Sequence, residues 1–316
     1  MRLVIVGDVH LADRPPSARR ETYKDELLDK LRWIVDFSNR EGVNALLFLG
    51  DVFHIKRPDR NSHRLVMETA EVLGASNAEV LITPGNHDLQ YDDLSTIDAQ
   101  PLGTLTLHPR INLLIGEHDS LPLFGLPYID PTQENLEFWL SRYHAVGGRD
   151  MYPFVATHMS LFPEAQAPLF EYISYEDWVE ESGAKWTAYG HIHSRVKGGP
   201  FVQVGQSWVV NNGAISRGSL HEETIHRELA ITLFDSSQPG CPFTSIPLPH
   251  RPAEEVFRLE EVALLDERRA KVDGFLQSLG GAELTYLTTE GILEKARQTD
   301  LPHAAVKELE EIITNV

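Results

Sequence analysis

The amino-acid sequence predicts an α/β protein built as a two-sheet β-sandwich flanked by helices, with a small C-terminal α/β region. Three observations predict this class. Apolar, β-branched runs alternate with amphipathic stretches over residues 2–82, shorter strand-like segments follow over 111–247, and turn-rich segments precede a charged tail. Alternating strands and helices favour a parallel sheet, and later strands joined by turns favour a second sheet packed on the first.

The first sheet is predicted from five alternating elements. Residues 2–6 and 44–49 are almost continuous apolar runs, as expected for strands that are buried on both faces. Residues 21–40 carry apolar residues at helical spacing, and a second helix at 61–74 precedes a strand at 78–82. This order predicts a parallel core with right-handed crossovers, in which ligands gather at the carboxyl ends of the strands.

The second sheet is predicted from shorter and more alternating segments. One helix, at residues 131–146, interrupts them, and we expect its Phe138 and Trp139 in the core, together with Trp178 and Trp186. We expect the strands to form a sheet that packs on the first one. The candidate strands are residues 111–115, 121–125, 153–157, 185–189, 201–204, 208–210, 228–234 and 243–247.

The composition changes character near residues 236–253, where serine, proline and glycine are typical of turns and linkers. We therefore predict a large domain over residues 1–250 and a small cap-like or accessory region over 251–316. The expected elements of the second region are a helix at 265–279, a strand at 282–287 and a helix at 303–314.

The net charge of −19, from 28 Lys and Arg against 47 Asp and Glu, argues against a nucleic-acid partner. The basic residues are unevenly distributed, however, and many follow the polar motifs described below. They are either ordinary solvated loop charges or a positive rim around a site. These residues are Arg14, Arg19, Arg20, Lys24, Lys56, Arg57, Arg60, Arg64, Arg195 and Lys197.

Cys241 is the only cysteine, so a disulfide within the chain is excluded and a reducing cytoplasm is the expected location. The sequence has no apolar run near the roughly 18–20 residues that a membrane span needs. The first residues lead directly into a strand and a polar motif, which favours a core strand over a signal peptide. We expect no membrane partner.

Five short polar motifs follow predicted strands: Gly-Asp-Val-His at 7–10, Gly-Asp-Val-Phe-His at 50–54, Gly-Asn-His-Asp at 85–88, Thr-His-Met at 157–159 and Gly-His-Ile-His at 190–193. Their oxygen and imidazole donors suit Mn²⁺, Fe²⁺ or Zn²⁺. They suffice for two ions if one carboxylate bridges them, and such a pair, about 4 Å apart, clamps the attacking and leaving oxygens of a phosphoryl displacement. The candidate ligands are Asp8, His10, Asp51, Asn86, His158, His191 and His193.

The order of these motifs resembles that of the calcineurin-like metallophosphoesterase superfamily over roughly residues 1–235. Asp51-Val-Phe-His54, followed by Arg57-Pro58, is similar to a segment of the SbcD/Mre-type DNA repair nucleases. Residues 212–217 match less well, because Asn212 stands where those nucleases usually have a proline. The resemblance implies the metallophosphoesterase fold, with a catalytic domain over residues 1–250. Residues 253–316 weakly resemble the small capping domain of the same nucleases.

The resemblance also implies how the ligands divide. Asp51 bridges both ions, Asp8, His10 and His193 complete the first site, and Asn86, His158 and His191 complete the second. His87 adjoins a ligand without being one, so we expect it to act as general acid or transition-state stabiliser, oriented by Asp88. His54 is expected to position the phosphate or the substrate.

The ligands predict a phosphoesterase that uses a hydroxide activated by two metals. The resemblance implies that it is a Mn²⁺-dependent phosphodiesterase that hydrolyses DNA, an SbcD-like exonuclease or endonuclease of repair or recombination. The resemblance implies an SMC-like ATPase partner and allows a homodimer, and residues 301–316 would form a helix that either docks the ATPase or packs on its own domain. The alternative is a small-molecule phosphodiesterase or phosphatase for cyclic nucleotides or nucleotide conjugates, which the acidic composition favours. Tyr128, in a rim loop, either stacks on a base or packs internally.

Overall fold

A computed structural model describes residues 1–219, 225 and 227–260 of the chain. Contacts between residues divide the chain into two units, Met1–Val256 and Phe257–Val316. The fold described below is that of the first unit. The elements predicted at 265–279, 282–287, 301–316 and 303–314 lie outside the described residues, and the domain boundary at residue 250 stays a prediction.

Fourteen strands are present in the described residues. In chain order they are β1 (Arg2–Val6), β2 (Ala45–Phe48), β3 (Glu79–Ile82), β4 (Ile111–Leu113), β5 (Gly116–Glu117), β6 (Leu123–Leu126), β7 (Phe154–Thr157), β8 (Leu161–Phe162), β9 (Ile173–Ser174), β10 (Trp186–Tyr189), β11 (Phe201–Val204), β12 (Ser207–Val210), β13 (Ala230–Asp235) and β14 (Phe243–Pro247). Every predicted strand in this part of the chain is therefore present. Only the two-residue strands β5, β8 and β9 were not predicted.

The strands form two sheets of six, with β8 and β9 as a separate pair. The first sheet has the order β14-β13-β1-β2-β3-β4, in which β1 to β4 are parallel and β13 and β14 are antiparallel additions. The second has the order β11-β12-β10-β7-β6-β5, with four central parallel strands and an antiparallel strand at each edge. The predicted parallel core and two-sheet class are confirmed.

The helices flank these sheets. They are α1 (Tyr23–Glu41), α2 (His63–Gly74), α3 (Pro101–Leu105), α4 (Gln133–Ala145), α5 (Gly148–Met151), α6 (Tyr175–Ser182) and α7 (Ala253–Val256), with 3₁₀ turns at Pro58–Arg60, Gln90–Asp92, Leu94–Ala99 and Glu164–Gln166. None of the helices in the described residues is both long and apolar enough to cross a membrane.

The apolar side chains fill three layers. Leu3 and Ile5 of β1 face the second sheet and pack in one cluster with Phe154 and Ala188. Val4 and Val6 alternate with them and face the helices, because successive side chains of a strand point to opposite faces. A third cluster lies on the outer face of the second sheet under α4 and α6. The uninterrupted apolar run of β1 thus reflects burial on both faces.

The prediction that Phe138 lies in the core is wrong, since its side chain is 56% exposed. Leu136 and Leu140 of α4 are buried, and Phe138 lies two residues from each, where helical spacing turns a side chain to the opposite face. Trp139, Trp178 and Trp186 are buried as predicted.

Candidate metal centre

The five motifs meet at the carboxyl ends of strands from both sheets. The first sheet provides Asp8 and His10 after β1, Asp51 after β2 and Asn86 after β3. The second sheet provides His158 after β7 and both His191 and His193 after β10. Because the sheets pack face to face with these ends at the same edge, residues from distant parts of the chain come into contact. The structure brings all seven candidate ligands together in two adjoining groups.

The first group consists of Asp8, His10, Asp51 and His193, whose ligand atoms all lie within 4.8 Å of one another. His193 Nε2 lies 3.2 Å from Asp8 Oδ2, and His10 Nε2 lies 3.7 Å from Asp51 Oδ2. The two imidazole Nε2 atoms are only 2.8 Å apart. Two carboxylates and two imidazoles pointing at one space form a donor set for a divalent cation.

The polar atoms of this group fit a cation. Asp8 Oδ2 is buried and makes no well-directed hydrogen bond to any described residue, although His193 Nε2 lies 3.2 Å away. Such an oxygen is costly to bury unless a partner satisfies it. A cation between Asp8, His10 and His193 would satisfy the oxygen and would accept lone pairs from both imidazoles.

The second group consists of Asp51, Asn86, His158 and His191. His158 Nε2 lies 3.4 Å from Asp51 Oδ2 and 3.2 Å from Asn86 Oδ1. His191 Nδ1 lies 3.1 Å from the same Asn86 oxygen. Asp51 Oδ2 is thus near imidazoles of both groups, His10 and His158. This shared position is the one that a bridging carboxylate requires.

The backbone fixes which nitrogen of His158 faces the group. His158 Nδ1 donates a hydrogen bond to the Leu49 carbonyl at 2.6 Å, so Nε2 is the atom that faces Asp51 and Asn86. Such a hydrogen bond sets the tautomer and the orientation of a metal-binding histidine. Like Asp51, Leu49 belongs to the segment that follows β2.

Three of the candidate ligands have backbone conformations that residues other than glycine rarely adopt. The φ angles of His10, Asp51 and His191 are 53°, 49° and 72°, in the left-handed region. Each such residue costs on the order of 1–3 kcal/mol and persists only where its surroundings enforce it. Hydrogen bonds from His10 N to the Asp51 carbonyl (2.8 Å) and from His191 N to Asp8 Oδ1 (3.1 Å) hold these turns.

The motif glycines allow the carboxylates to approach the backbone. A Cβ atom on Gly85 would lie 2.2 Å from Asp51 Oδ1, and one on Gly190 would lie 2.7 Å from Asp8 Oδ1. Neither distance is compatible with a side chain at the glycine. Gly85 and Gly190, which directly precede Asn86 and His191, are therefore part of the site's geometry.

The carboxylates and imidazoles of the two groups shift one another's pKa values. Burial opposes ionisation of Asp51, but the His158 and His10 imidazoles outweigh it and hold the pKa of Asp51 below its usual range. Burial also disfavours the charged form of His158, but the neighbouring carboxylates of Asp51 and Asp8 raise the pKa of His158 to about 9. Burial lowers the pKa of His10 to about 3 and that of His191 to about 4. The site holds its carboxylates ionised and attracts positive charge between them.

His87 and His54 form a pair beside the first group. Their rings are stacked, with centroids 5.5 Å apart and an interplanar angle of 14°. His87 Nδ1 donates to the His54 carbonyl at 2.6 Å, and the His87 amide donates to Asp51 Oδ1 at 2.8 Å. His54 Nδ1 lies 3.4 Å from His10 Nδ1. Both imidazoles predicted to act on the substrate are therefore next to the ligands.

The predicted role of Asp88 in orienting His87 is wrong. The Asp88 carboxylate is buried and accepts hydrogen bonds from the amides of Gly85 (3.0 Å) and Phe53 (3.5 Å). The His54 carbonyl orients His87 instead. Burial, with the nearby negative charge of Asp51, raises the pKa of Asp88 to about 7. Asp88 ties the Gly85–Asp88 turn to the segment that carries Asp51.

Tyr128 lies at the rim of the second group. Its ring centroid is 5.4 Å from that of His191 and 6.1 Å from that of His158. Its amide donates to the Pro84 carbonyl at 2.7 Å, which fixes the loop beside the Gly85–Asp88 turn. The sequence left open whether this ring packs internally, and the structure places it, half-buried, against two candidate ligands.

Five of the ten basic residues near the motifs form ion pairs with acidic side chains of the described residues. Arg19 is buried and contacts Glu26 and the Arg217 carbonyl, so it is neither a solvated loop charge nor part of a positive rim, and both predicted alternatives are wrong for this residue. Surface pairs neutralise much of the remaining charge. These pairs are Lys24–Glu68, Lys56–Asp92, Arg57–Asp59 and Arg64–Glu68.

Arg227 was not predicted, although it lines a cavity beside the first group together with His10, His54 and His193. It lies far beyond the last motif, on no recognisable pattern. Its place beside the candidate ligands becomes visible only in the folded structure.

Comparison with known proteins gives the family. The model of the calcineurin-like phosphoesterase family matches residues 1–195, which include all seven candidate ligands. The DNA double-strand break repair protein Mre11 of Saccharolobus solfataricus is 23% identical over 205 residues, 62% of this chain and 50% of that protein. The chain thus spans about half the length of this curated relative.

Two solved structures resemble the chain to different degrees, and only the first is similar enough to indicate the same fold. The protein TT1561 of Thermus thermophilus has 13% identity and a TM-score of 0.50, covering 78% of this chain and 99% of that chain. A novel archaeal phosphodiesterase has 18% identity and a TM-score of 0.40, covering 78% of this chain and 100% of that one. The family match and the carboxylate–imidazole clusters lead to one conclusion: the chain belongs to the calcineurin-like phosphoesterase family and is a metal-dependent phosphoesterase.

Proposed function

We propose that this phosphoesterase is a Mn²⁺-dependent phosphodiesterase that hydrolyses DNA. The observation that carries the proposal is the stacked pair of His54 and His87 beside the first group of ligands. This pair arises from the Asp51-Val-Phe-His54 motif, which is similar to that of DNA repair nucleases. The similarity to the DNA double-strand break repair protein Mre11 supports the same substrate.

The donor set supports two divalent ions and favours Mn²⁺, with Fe²⁺ or Zn²⁺ as alternatives. Asp8, His10, Asp51 and His193 would hold one ion, and Asp51, Asn86, His158 and His191 the other. Cys241, the only thiol of the chain, contacts the Phe243 carbonyl in the sandwich and is not among the candidate ligands. Bound ions of this kind activate water and offset negative charge on phosphoryl oxygens.

His87 would supply the proton that the leaving oxygen requires. Its Nδ1 is engaged by the His54 carbonyl, which leaves Nε2 as the ring atom that exchanges a proton with the substrate. The hydrogen bond from the His87 amide to Asp51 fixes the residue relative to the shared carboxylate.

His54 would position the substrate. It lines the cavity beside His10 and His193, and burial lowers the pKa of its imidazole. A neutral imidazole can still donate a hydrogen bond from its protonated nitrogen to an oxygen of a phosphate ester. The SMC-like ATPase partner, a homodimer and a cytoplasmic location also remain proposals.

The second candidate is a small-molecule phosphodiesterase with the same centre. The pairing of Lys56, Arg57 and Arg64 with acidic side chains favours it, because paired cations contribute little to phosphate binding along a DNA backbone. The net charge of −19 acts in the same direction.

The test compares hydrolysis by the purified protein with Mn²⁺ on three substrates: labelled linear double-stranded DNA, single-stranded DNA and bis-p-nitrophenyl phosphate. DNA cleavage that requires Mn²⁺ and weakens steeply as salt rises supports the nuclease. Turnover of the generic diester while DNA stays intact favours the small-molecule enzyme. The variant Asp51→Asn is the control, because any hydrolysis that survives in it comes from a contaminant.

A further inference from the structure

A cavity of about 180 Å³ adjoins the first group of ligands. Its lining includes His10, His54 and His193, together with Arg227, Ser216, Gly218 and Ser219. Pockets that enclose a whole small molecule usually measure roughly 300 Å³ or more. The cavity therefore suits one group of a larger substrate whose reacting phosphate lies at the metals.

Arg227 is held in place by the segment that follows β12. Its Nη2 donates to the carbonyls of Ala214 (2.7 Å) and Ser216 (2.9 Å). The Ala214 amide in turn donates to the His193 carbonyl at 3.1 Å, and the Ile215 amide to the Asp8 carbonyl at 2.9 Å. The guanidinium is thus fixed relative to two candidate ligands through two short backbone contacts.

Arg227 also has unused binding capacity. Its Nε is buried and makes no hydrogen bond to any residue that the structure describes, and the same holds for Nη2 of Arg195. Neither arginine forms an ion pair within the described ranges. Burial and the like charge of Arg195 lower the pKa of Arg227 to about 10. Arg227 and Arg195 are half-buried, each has one buried nitrogen without a described partner, and the charge of one acts on the other. Such guanidinium groups are suited to bind an anion.

We propose that Arg227, assisted by Arg195, binds a second phosphate group of the substrate, next to the phosphodiester that is cleaved. This inference rests on the proposed phosphodiesterase function and deepens it by naming the substrate class: nucleotides or oligonucleotides with a second phosphate one sugar away. Ser216 and Ser219 on the cavity wall add polar groups for the same phosphate or its sugar. A lone phosphodiester would leave the subsite unfilled.

The first test is binding without turnover. Calorimetry on the Mn²⁺-loaded protein compares thymidine 3′,5′-bisphosphate with thymidine 5′-monophosphate. We expect the bisphosphate to bind at least about tenfold more tightly, the range that one charge-assisted hydrogen bond provides. Arg227→Gln should abolish most of that preference, and Arg195→Gln, which leaves the carbonyl contacts of Arg227 intact, should reduce it. Equal affinity of the wild type for both ligands would overturn the proposal.

The second test is hydrolysis of the dinucleotide TpT against its 5′- and 3′-phosphorylated forms. Wild type should prefer one phosphorylated form by at least about tenfold in kcat/KM, and Arg227→Gln should lose that preference. Arg149→Gln, on exposed α5, is the matched control and should keep it. If Arg227→Gln slows all three substrates equally, the residue is only structural and the subsite is refuted.

The two tests separate the claims. If the wild type hydrolyses none of the dinucleotides but binds the bisphosphate through Arg227, the phosphodiesterase assignment fails and the phosphate subsite stands. Because Arg227 also holds two carbonyls, Arg227→Lys and thermal unfolding of each variant distinguish loss of binding from loss of folding. A folded Arg227→Gln or Arg195→Gln protein with undiminished bisphosphate preference would contradict the proposal.

Discussion

His10 Nε2 and His193 Nε2 lie 2.8 Å apart, although His10 follows a strand of the first sheet and His193 a strand of the second. Two imidazole nitrogens at this distance need a cation or a proton between them. The contact therefore places the metal site at the junction of the sandwich, where neither sheet alone provides enough ligands. Binding of the metals and packing of the two sheets should be coupled.

Metal binding should stabilise the fold. A ligand that binds only the folded state at 100 times its dissociation constant adds about 2.7 kcal/mol to the free energy of unfolding. Thermal unfolding with saturating Mn²⁺ and with a chelator should show a clearly higher melting temperature in Mn²⁺. His193→Ala should shrink the difference, and identical melting temperatures for the wild type in both conditions would exclude a metal centre that joins the sheets.

His87→Ala should keep its metals and lose turnover. The side chain is adjacent to Asn86 but belongs to neither full ligand set, so its loss removes a proton donor worth about 10²- to 10⁴-fold in rate. The measurement is kcat on bis-p-nitrophenyl phosphate together with metal content per chain. Asp88→Asn is the comparison, since Asp88 contacts backbone amides rather than His87. A fully active His87→Ala enzyme would disprove the assignment.

Gly85→Ala should damage metal binding directly. The added methyl would lie 2.2 Å from Asp51 Oδ1, so the shared carboxylate must move. Gly42→Ala is the matched control, because Gly42 has a φ of 60° but no atom within 4 Å of an added Cβ. The control should lose about 1 kcal/mol of stability and retain its metals. The measurement is the metal content per chain of both purified variants. Normal metal content in Gly85→Ala would show that the Asp51 carboxylate does not need the close approach to Gly85.

Stability should depend on pH through the buried Glu26–Lys30 pair. Lys30 Nζ lies 2.9 Å from Glu26 Oε1, yet burial outweighs this carboxylate and lowers the pKa of Lys30 from 10.5 to about 8. Between these values the unfolded chain binds more protons than the folded one, so the contribution of Lys30 to stability rises with pH.

Denaturant unfolding of metal-free wild type and Lys30→Met from pH 7.5 to 10.5 tests this dependence. Relative to the variant, the wild type should gain up to about 3 kcal/mol across that range. Glu26 adds a second pH dependence at acid pH. Its pKa is lowered because Lys30 and Arg19 outweigh burial, so its contribution to the free energy of unfolding is lost as pH falls below 4.5. Parallel curves for the two proteins above pH 8 would contradict the shifted pKa of Lys30.

The sequence predicted most of the fold because its strands are buried on both faces and read as unbroken apolar runs, as in β1 and β2. It missed α6, an eight-residue helix, although Ser174 caps it through the Asp177 amide in a pattern that the sequence displays.

The ligands were predictable because each follows a strand end, and strand ends of parallel sheets converge. The contacts that individual side chains make could not be predicted from the sequence. Asp88 is adjacent to His87 in sequence, but its carboxylate turns to the amides of Gly85 and Phe53. Arg227 follows no motif, and it reaches the site only because β13, which it precedes, pairs with β1.

In the proposed two-metal centre, the shared position of Asp51 would place one ion on each side of its carboxylate. Mn²⁺ titration followed by metal analysis and electron paramagnetic resonance tests this arrangement, because two Mn²⁺ ions that share a carboxylate are magnetically coupled. We expect two Mn²⁺ per chain with a coupled signal, and loss of the coupling in Asp51→Asn. One Mn²⁺ per chain, or two ions with uncoupled spectra in the wild type, would contradict a bridging Asp51.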